Sequence, residues 1–571
     1  MNEKLLRYLA DQGLLSREQT DALLQEHQEI RRPVRELLIE RGIVSEEKLI
    51  EALSYASGIP QIRLYESPIP MDVRLLVRPE LLRANLIIPF AFDEADSRTV
   101  CVAINDPTNM KGRDIVAAAG KCRVKPFLAT ATDILLAIDR CYGTEEMQEA
   151  AALYTQTGEA DRTVEEQLMQ ESVNASPVVI LVKTLIEQAV HRRASDIHIE
   201  AGSDCVRVRF RVDGVLHPVM TYDLLLLPAI VARIKIISGL DISEKRTPQD
   251  GRFPIVMDGN EYEVRVSTLP TVYGEKCVLR LAQKKALTRS KRALGLRGAQ
   301  LEKFDRILKI PNGIVLVTGP TGSGKSTTMY TALSELNSDE VNIVTIEDPV
   351  EANIEGINQV QVNPKANMTF ANALRSILRQ DPDIIMIGEI RDGETASIAV
   401  QASITGHLVM STLHTNDTAS SVTRLLDMGV ESYLIADATV GIIAQRLVRC
   451  LCPNCKKLRP VLRHEAEYLG LPEAQWESIR IGEPVGCQRC DGTGYYDRIG
   501  VYEVMEITPT LRALIAHHAT TDEIRTLAIR EGMKTMHESA RELVLEGTTS
   551  ISELQRISVE NIHQQNVNAE G

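Results

Sequence analysis

The chain has 571 residues, 44% of them apolar, which suits several independently packed units rather than one core. A net charge of −14 at pH 7 argues against a general nucleic-acid binder, because phosphate backbones are held by an excess of lysine and arginine. No stretch of about 18 uncharged apolar residues is present to span a bilayer; the best candidate, LLLLPAIVARIKIISGL at 224–240, is broken by Arg233 and Lys235. The opening MNEKLLRYLADQGLL carries acidic residues and no apolar run before a cleavage site, so it does not read as a secretory signal. The expected compartment is the cytosol, where the ten cysteines are thiols or metal ligands rather than disulfides.

In chain order, residues 1–58 contain an internal repeat. Leu9, Gly13, Leu15, Ser16, Glu18 and Leu24 recur as Leu38, Gly42, Val44, Ser45, Glu47 and Leu53. Each copy reads as helix, glycine stop, serine N-cap and helix, with Ser16 and Gln19 spaced as a capping box. This predicts a helical adaptor. Over 60–145, β-like runs (NLIIPFAF, RTVCVAIND, CRVKPFLA) alternate with helical ones, predicting a small α/β domain. The polar, acidic stretch 146–175 reads as a linker. From 176 to 283 a helix, PVVILVKTLIEQAVHRRA, leads into alternating strands, an α+β pattern. Residues 284–300 form a second, locally basic linker, expected to be a solvated hinge, with contact to acidic phospholipid or a partner as the alternative.

At 313 comes GIVLVTGPTGSGKSTTMYTAL, an apolar run, a glycine loop and a helical pattern. This is the phosphate-loop spacing G-x-x-x-x-G-K-[ST] (Walker A), and it makes Gly319, Pro320, Thr321, Gly322, Ser323, Gly324, Lys325, Ser326 and Thr327 the expected nucleotide-binding set. The glycines let backbone N–H groups curl around phosphates, Lys325 neutralises the β and γ phosphates, and Ser326 holds Mg²⁺. Two further strand-like runs end in carboxylates, as metal-assisted phosphoryl transfer requires. VNIVTIEDPVE supplies Glu347 and Asp348, expected near the metal or the attacking water; DIIMIGEIRD supplies Glu389, expected to polarise that water. A fourth run, TGHLVMSTLHTND, brackets one strand with His407 and His414, expected to sense the γ-phosphate, although a lone histidine is more often a satisfied core residue. The residues alone predict an α/β P-loop ATPase with a RecA-like sheet.

Downstream, Cys452 and Cys455 are followed after 31 residues by Cys487 and Cys490. Two C-x-x-C knuckles fit a closed four-thiolate Zn²⁺ site, whereas a redox pair would need a thioredoxin-like setting that the flanking pattern lacks. The expectation is a structural clip holding a protruding module over 450–495, with Cys450 a bystander. Cys101, Cys122, Cys141, Cys205 and Cys277 read as structural.

VTIEDPVE, SILRQDPDIIMIGEIRD and TGHLVMSTLHTND, in this order after the phosphate loop, closely resemble the Asp box, Walker B and His box of the secretion ATPases of type II secretion and type IV pilus assembly. The resemblance extends through RRASDIHIE, VRVRFRVDG, LDISEKRTPQDGRF and AQRLVRCLCPNCK and covers about 170–555. It implies a PAS-like domain at 176–283, a RecA-like core at 301–508 carrying the zinc module, and a helical region at 509–571. It also implies a homo-hexamer that binds ATP and Mg²⁺ between the PAS-like and RecA-like domains, with Arg265 and Arg280 reaching the phosphates. The hinge at 284–297 would then couple turnover to movement. The implied partners are a polytopic inner-membrane platform protein and a membrane-anchored assembly protein docked on the N-terminal domains. The implied location is cytoplasmic, peripheral to the inner membrane.

The cysteine module and N-terminal domains favour assembly over retraction. IAVQASITGHLVMSTLHTN and VTRLLDMGVESYL look more like the type II secretion branch, with pilus extension as the alternative. A DNA-transfer ATPase is the more distant reading, opposed by the acidic balance and the tetracysteine insertion. Two departures stand out. Relatives that bind cyclic di-GMP open each repeat with Arg-Leu-Gly and end it with Gln, whereas this chain has KLL at 4–6, PVR at 33–35, His27 and Ala56, which argues against such binding. After the second cysteine pair, Asp497 replaces a glycine of the family pattern, so a left-handed backbone there would be less well tolerated.

Overall fold

The computed structural model describes residues 2–12, 14–15, 34–35, 38, 44–64, 69–93, 96–143, 177–257, 259–283 and 288–558. The linker expected at 146–175, the Ser16–Gln19 capping box and His27 lie outside these residues. The chain forms two compact units, Met1–Phe253 with Arg265–Leu281, and Pro254–Val264 with Ala282–Gly571.

In the first unit, helix α1 (Asn2–Asp11) spaces Leu5, Leu6 and Leu9 along one face, and all three are buried. Helix α2 (Glu46–Ser57) begins at Ser45, whose hydroxyl accepts from Lys48 N at 3.4 Å, and stops at Gly58, where φ is 73°. Strands β1 (Ile87–Asp93), β2 (Asp96–Ile104) and β3 (Arg123–Leu128) form one sheet, antiparallel between β1 and β2 and parallel between β2 and β3. The leucines of α1 and α2 and the strand residues Ile87, Val100 and Val102 belong to one continuous apolar cluster. The adaptor and the small α/β region, expected as two domains, therefore share a core. The physical reason is size, since so short a helical segment buries too little surface alone.

The same unit contains β4 (Ala194–Ala201), β5 (Val206–Val212), β6 (Val215–Tyr222), most of β7 (Gln249–Met257) and parts of β8 (Asn260–Thr271) and β9 (Gly274–Gln283), in the sheet order β6-β5-β4-β9-β8-β7. Along β5 the valines 206 and 208 and Phe210 are buried, while Arg207, Arg209 and Arg211 take the other face. Helix α3 (Pro177–His191) packs on β4 and against helix α4 (Leu227–Ile237), so one face of this sheet is apolar and covered.

The second unit is built on a seven-stranded sheet. Its strands are β10 (Gly313–Thr318), β11 (Ile343–Glu347), β12 (Asn358–Gln361), β13 (Ile384–Ile387), β14 (Leu408–Leu413), β15 (Thr439–Leu451) and, after the separate hairpin of β16 (Lys457–Pro460) and β17 (Arg480–Glu483), β18 (Tyr495–Glu506). The order is β12-β11-β13-β14-β10-β15-β18, all parallel except the last strand. Every residue of β10, β13 and β14 is buried. Ile314 and Leu316 enter one apolar cluster, Val315 and Val317 the other, which is how a continuous apolar run becomes a strand covered on both faces.

Two expectations are corrected here. The segment read as a solvated hinge is anchored from Ser290 onward. Ser290 caps a short helix, Lys291–Leu294; Leu294 and Leu296 are buried in the core; and Lys291 pairs with Glu335 at 2.7 Å and with Asp305. The cysteine module does not stand apart either. Val461, Leu469 and Ile481 of the module share a cluster with Leu543, Val544, Leu554 and Ile557 near the C-terminus.

Asp497 does take the left-handed conformation, with φ of 69°, where the β15–β18 register skips between Arg449 and Leu451. Its Oδ1 accepts from Arg498 N at 2.8 Å, a local bond that a short polar side chain can make there. Asp497→Gly should therefore match or exceed the native stability by up to about 1 kcal/mol, and Asp497→Val should lower it by about 1–2 kcal/mol. Denaturant unfolding of both variants beside the native chain checks that order.

Candidate nucleotide and metal sites

Strand β10 ends at Thr318 and the chain turns sharply at Gly319, where φ is 147°. A Cβ there would stand 2.4 Å from the Gln445 carbonyl oxygen and 2.7 Å from Ser323 Oγ, so only glycine fits. Pro320, Thr321 and Gly322 form the turn, Ser323 is buried, and Gly324 (φ 90°) caps helix α5 (Lys325–Leu336). Lys325 Nζ donates to Gly319 O at 2.7 Å and Pro320 O at 3.2 Å. Burial pulls its ammonium down to about 8, opposed by the charge of Glu389. Ser326 is exposed and Thr327 half-buried on the first turn of α5. The result is a helix N-terminus preceded by a backbone cradle, an arrangement suited to phosphate.

Because β10, β11, β13 and β14 run parallel, their carboxyl ends share one edge. Gly388 N donates to Ile346 O at 2.7 Å, Thr412 Oγ1 to Gly388 O at 2.7 Å and Ile390 N to Thr412 O at 3.1 Å, which pins the backbone on both sides of Glu389. The Glu389 carboxylate accepts from Arg391, and from His414 Nε2 at 2.9 Å. Burial pushes this carboxyl up, but these two donors outweigh it and hold it below its ordinary range. Glu389 is thus an anion at neutral pH, able to accept a hydrogen bond from water.

Glu347, expected near the metal or the attacking water, turns inward. It is buried, with Oε2 accepting from the Tyr330 hydroxyl and Oε1 from Thr345 Oγ1 at 2.6 Å and Gln359 Nε2 at 3.1 Å. Its carboxylate ties the tip of β11 to α5, while the neighbouring Asp348 is exposed. His407, expected at the γ-phosphate, is at the opposite edge. Its carbonyl accepts from Gly313 N at 3.1 Å, at the start of β10, and its Nδ1 bonds Ala402 O at 2.8 Å. Six strand residues at about 3.3 Å each separate it from the phosphate loop, so the two histidines bracket the strand but only His414 reaches the functional edge. Arg265 and Arg280 stand on the neighbouring strands β8 and β9 of the other unit, and Arg280 Nε donates to Asp196 Oδ1 at 3.0 Å.

Sequence reasoning missed several residues here. Thr318 Oγ1 bonds Thr415 O at 2.9 Å and Thr415 Oγ1 bonds Ser421 at 2.5 Å, which joins the phosphate strand to the His414 loop. Gln445 Nε2 donates to Ser323 O at 2.8 Å, and Arg446 donates to Asn416 Oδ1 at 3.0 Å. The dipeptide Gln-Arg inside the otherwise apolar run GIIAQRLV was the available signal, two polar residues where a buried strand has no ordinary place for them.

Residues 171–556 match the family model described as Type II/IV secretion system protein, and residues 57–148 match the MshEN domain. The chain belongs to the type II/IV secretion system protein family. It is 40% identical over 561 residues to a protein named type IV pilus assembly ATPase PilB from Myxococcus xanthus, covering 97% of this chain and 98% of that one. It is 44% identical over 451 residues to the putative type II secretion system protein E of Escherichia coli, covering 78% and 91%. The structure of the Legionella pneumophila ATPase DotB matches with a TM-score of 0.50 at 22% identity, over 68% of this chain and 98% of that one, a likeness of fold. As a member of this family the chain is an ATPase, with ATP and Mg²⁺ as its general requirement. No helix among the described residues is long and apolar enough to cross a membrane.

In this ATPase β15 and β18 deliver the four cysteines to one place. The Sγ atoms of Cys452, Cys455, Cys487 and Cys490 all lie within 4.8 Å of one another, with 452–487 at 3.9 Å and 455–490 and 487–490 at 3.8 Å. Four sulfurs each about 2.3 Å from a tetrahedral ion stand about 3.8 Å apart, whereas a disulfide needs about 2.05 Å. Gly486 N donates to Cys455 Sγ at 3.3 Å, Gly494 N to Cys490 Sγ at 3.2 Å and Asn454 Nδ2 to Cys487 Sγ at 3.4 Å, donors that suit thiolates. Cys450 is not among the clustered ligands.

The Lys325 ammonium gives a pH signature. With its pKa near 8 it is charged below that pH, and bound phosphates favour the charged form. ATP affinity should be level below pH 7 and fall by up to about tenfold per unit as pH rises past 8, the slope of one linked proton. Calorimetric titration between pH 6.5 and 9.5 measures it, and Lys325→Met should remove both the slope and most of the affinity.

Proposed function

We propose that this chain is a homo-hexameric ATPase at the cytoplasmic face of the inner membrane, whose ATP turnover drives assembly of pilin-like filaments for type II protein secretion. The observation that carries the reading is the ionised Glu389, pinned beside the phosphate loop and held by His414. In this reading Lys325 neutralises the β and γ phosphates, Ser326 is the Mg²⁺ ligand, and the bound Mg²⁺ supplies charge neutralisation. Glu389 polarises the attacking water, His414 orients Glu389, and Asp348 lies toward the metal's water shell. Glu347 braces the site rather than entering it. Arg265 and Arg280 add the positive charge that phosphoryl transfer needs.

Zn²⁺ held by Cys452, Cys455, Cys487 and Cys490 is a closed structural site with no position left for chemistry. The receiver of the motion is a polytopic inner-membrane platform protein. The N-terminal domains dock a membrane-anchored assembly protein, and acidic phospholipid is a further contact. Type IV pilus extension is the second reading, favoured by the near-complete span of the Myxococcus relative over both chains.

Glu389→Gln should bind ATP within a few-fold of the native protein yet turn over about 10²–10⁴ times more slowly. Arg265→Ala and Arg280→Ala should also bind, with turnover reduced by as much as about 10³-fold or more. Steady-state hydrolysis together with nucleotide titration separates these outcomes, and unchanged turnover in Glu389→Gln removes the assignment. Deleting the gene should abolish exoprotein release if the first branch is right, and surface pili if the second is. Metal analysis of the purified chain should find about one zinc per chain, lost in Cys452→Ser together with order over 450–495 and in the C-terminal residues packed on it.

A further inference from the structure

Gln445 is not explained by packing. It sits on β15 one residue past the Thr318–Ala444 pairing, level with the point where β10 becomes the phosphate loop. Its side chain is 1% exposed. The amide Nε2 donates to Ser323 O at 2.8 Å, and since a carbonyl can only accept, this fixes which end of the amide faces the loop. The other end, Oε1, is buried and has no hydrogen-bond partner among the described residues. Leucine or methionine would fill the same space without the unpaired Oε1 but would take this donor from Ser323 O, so the position is chosen for its donor.

The donor acts on a particular peptide plane. In a trans peptide the carbonyl of Ser323 and the N–H of Gly324 point in opposite directions. Holding the carbonyl outward, against β15, turns the Gly324 N–H inward, into the concavity that receives phosphate at the start of α5. Gly322 and Gly324 bracket Ser323 and both have positive φ, so the backbone around this plane is of the kind that side chains rarely constrain. The close approach is two-sided, since a Cβ on Gly319 would strike the Gln445 carbonyl and one on Gly324 would stand 3.2 Å from Nε2.

We propose that Gln445 is a positioning residue of the nucleotide site, which presets the Ser323–Gly324 peptide so that the Gly324 N–H faces the phosphates. The assignment rests on the ATPase reading above. The N–H so placed meets phosphates in the bound state and the transition state alike, so its loss raises KM and Kd and leaves kcat nearly level.

The test is Gln445→Met, which keeps the volume and removes the donor, beside Gln445→Asn, which keeps the amide but is one methylene too short. The readouts are unfolding midpoints, ADP–Mg²⁺ titration well below those midpoints, and steady-state hydrolysis. Both variants should show Kd for ADP and KM for ATP raised about tenfold, the worth of one neutral hydrogen bond, with kcat within about twofold of the native value. Should the methionine variant not fold, the smaller change to asparagine still gives the answer. Native affinity in a folded variant, with only its unfolding midpoint lowered, would mean a purely structural role and overturn the proposal. Failure of the native chain itself to bind ATP would instead overturn the ATPase reading, so the two failures are distinguishable.

Discussion

The ATPase half depends on one constraint, that a parallel sheet covered on both faces leaves only its edges open. Every residue of β10, β13 and β14 is buried, so no functional side chain can project from the middle of these strands without entering a core. Chemistry is confined to the strand tips, and because the strands are parallel the carboxyl tips collect at one rim. The phosphate loop, Glu389 and His414 meet there although 95 residues separate Thr318, which leads into the loop, from Leu413, whose carbonyl accepts from the Thr318 hydroxyl at 3.2 Å. The same rule excludes His407, which precedes the strand that His414 follows.

Strand β15 extends that logic. It carries Gln445 against the phosphate loop near its middle and ends at Leu451, immediately before Cys452. Its partner β18 runs antiparallel from just beyond Cys490, so one hairpin-like pair connects the phosphate cradle with the thiol cluster. The base of that pair is further clamped by the C-terminal residues. Glu553 is almost fully buried and accepts from Arg449 at 2.8 Å and Arg556 at 2.8 Å, while Thr549 Oγ1 donates to Arg449 O at 2.7 Å. A buried carboxylate is tolerated here because two guanidinium groups satisfy it. The four-cysteine module is therefore integral to the ATPase core and not an ornament on it.

The N-terminal part obeys a different limit. Short helices with one apolar stripe cannot hold together without a partner, and here the partner is the sheet of β1, β2 and β3. Arg35 pairs with Asp106 and Glu46 Oε2 accepts from Thr132 N at 3.4 Å, so polar contacts follow the same seam as the apolar ones.

Much of this was legible in the chain itself. The phosphate loop was readable because its chemistry lies in consecutive residues, and the order of strand-end carboxylates because a buried parallel strand reads as an unbroken apolar run. The cysteine spacing was enough to expect a closed thiolate site, and the glycine-to-aspartate exchange at Asp497 located a left-handed residue. What spacing could not decide was direction and depth. Glu347 and Glu389 both follow apolar runs, yet Tyr330, Thr345 and Gln359 turn one inward while Arg391 and His414 hold the other at the rim. Gln445 lies 122 residues from the carbonyl it grips, beyond the reach of any local pattern. Local chemistry is written in neighbouring residues; which edge a side chain reaches, and what covers it, is set by strands brought together from distant parts of the chain.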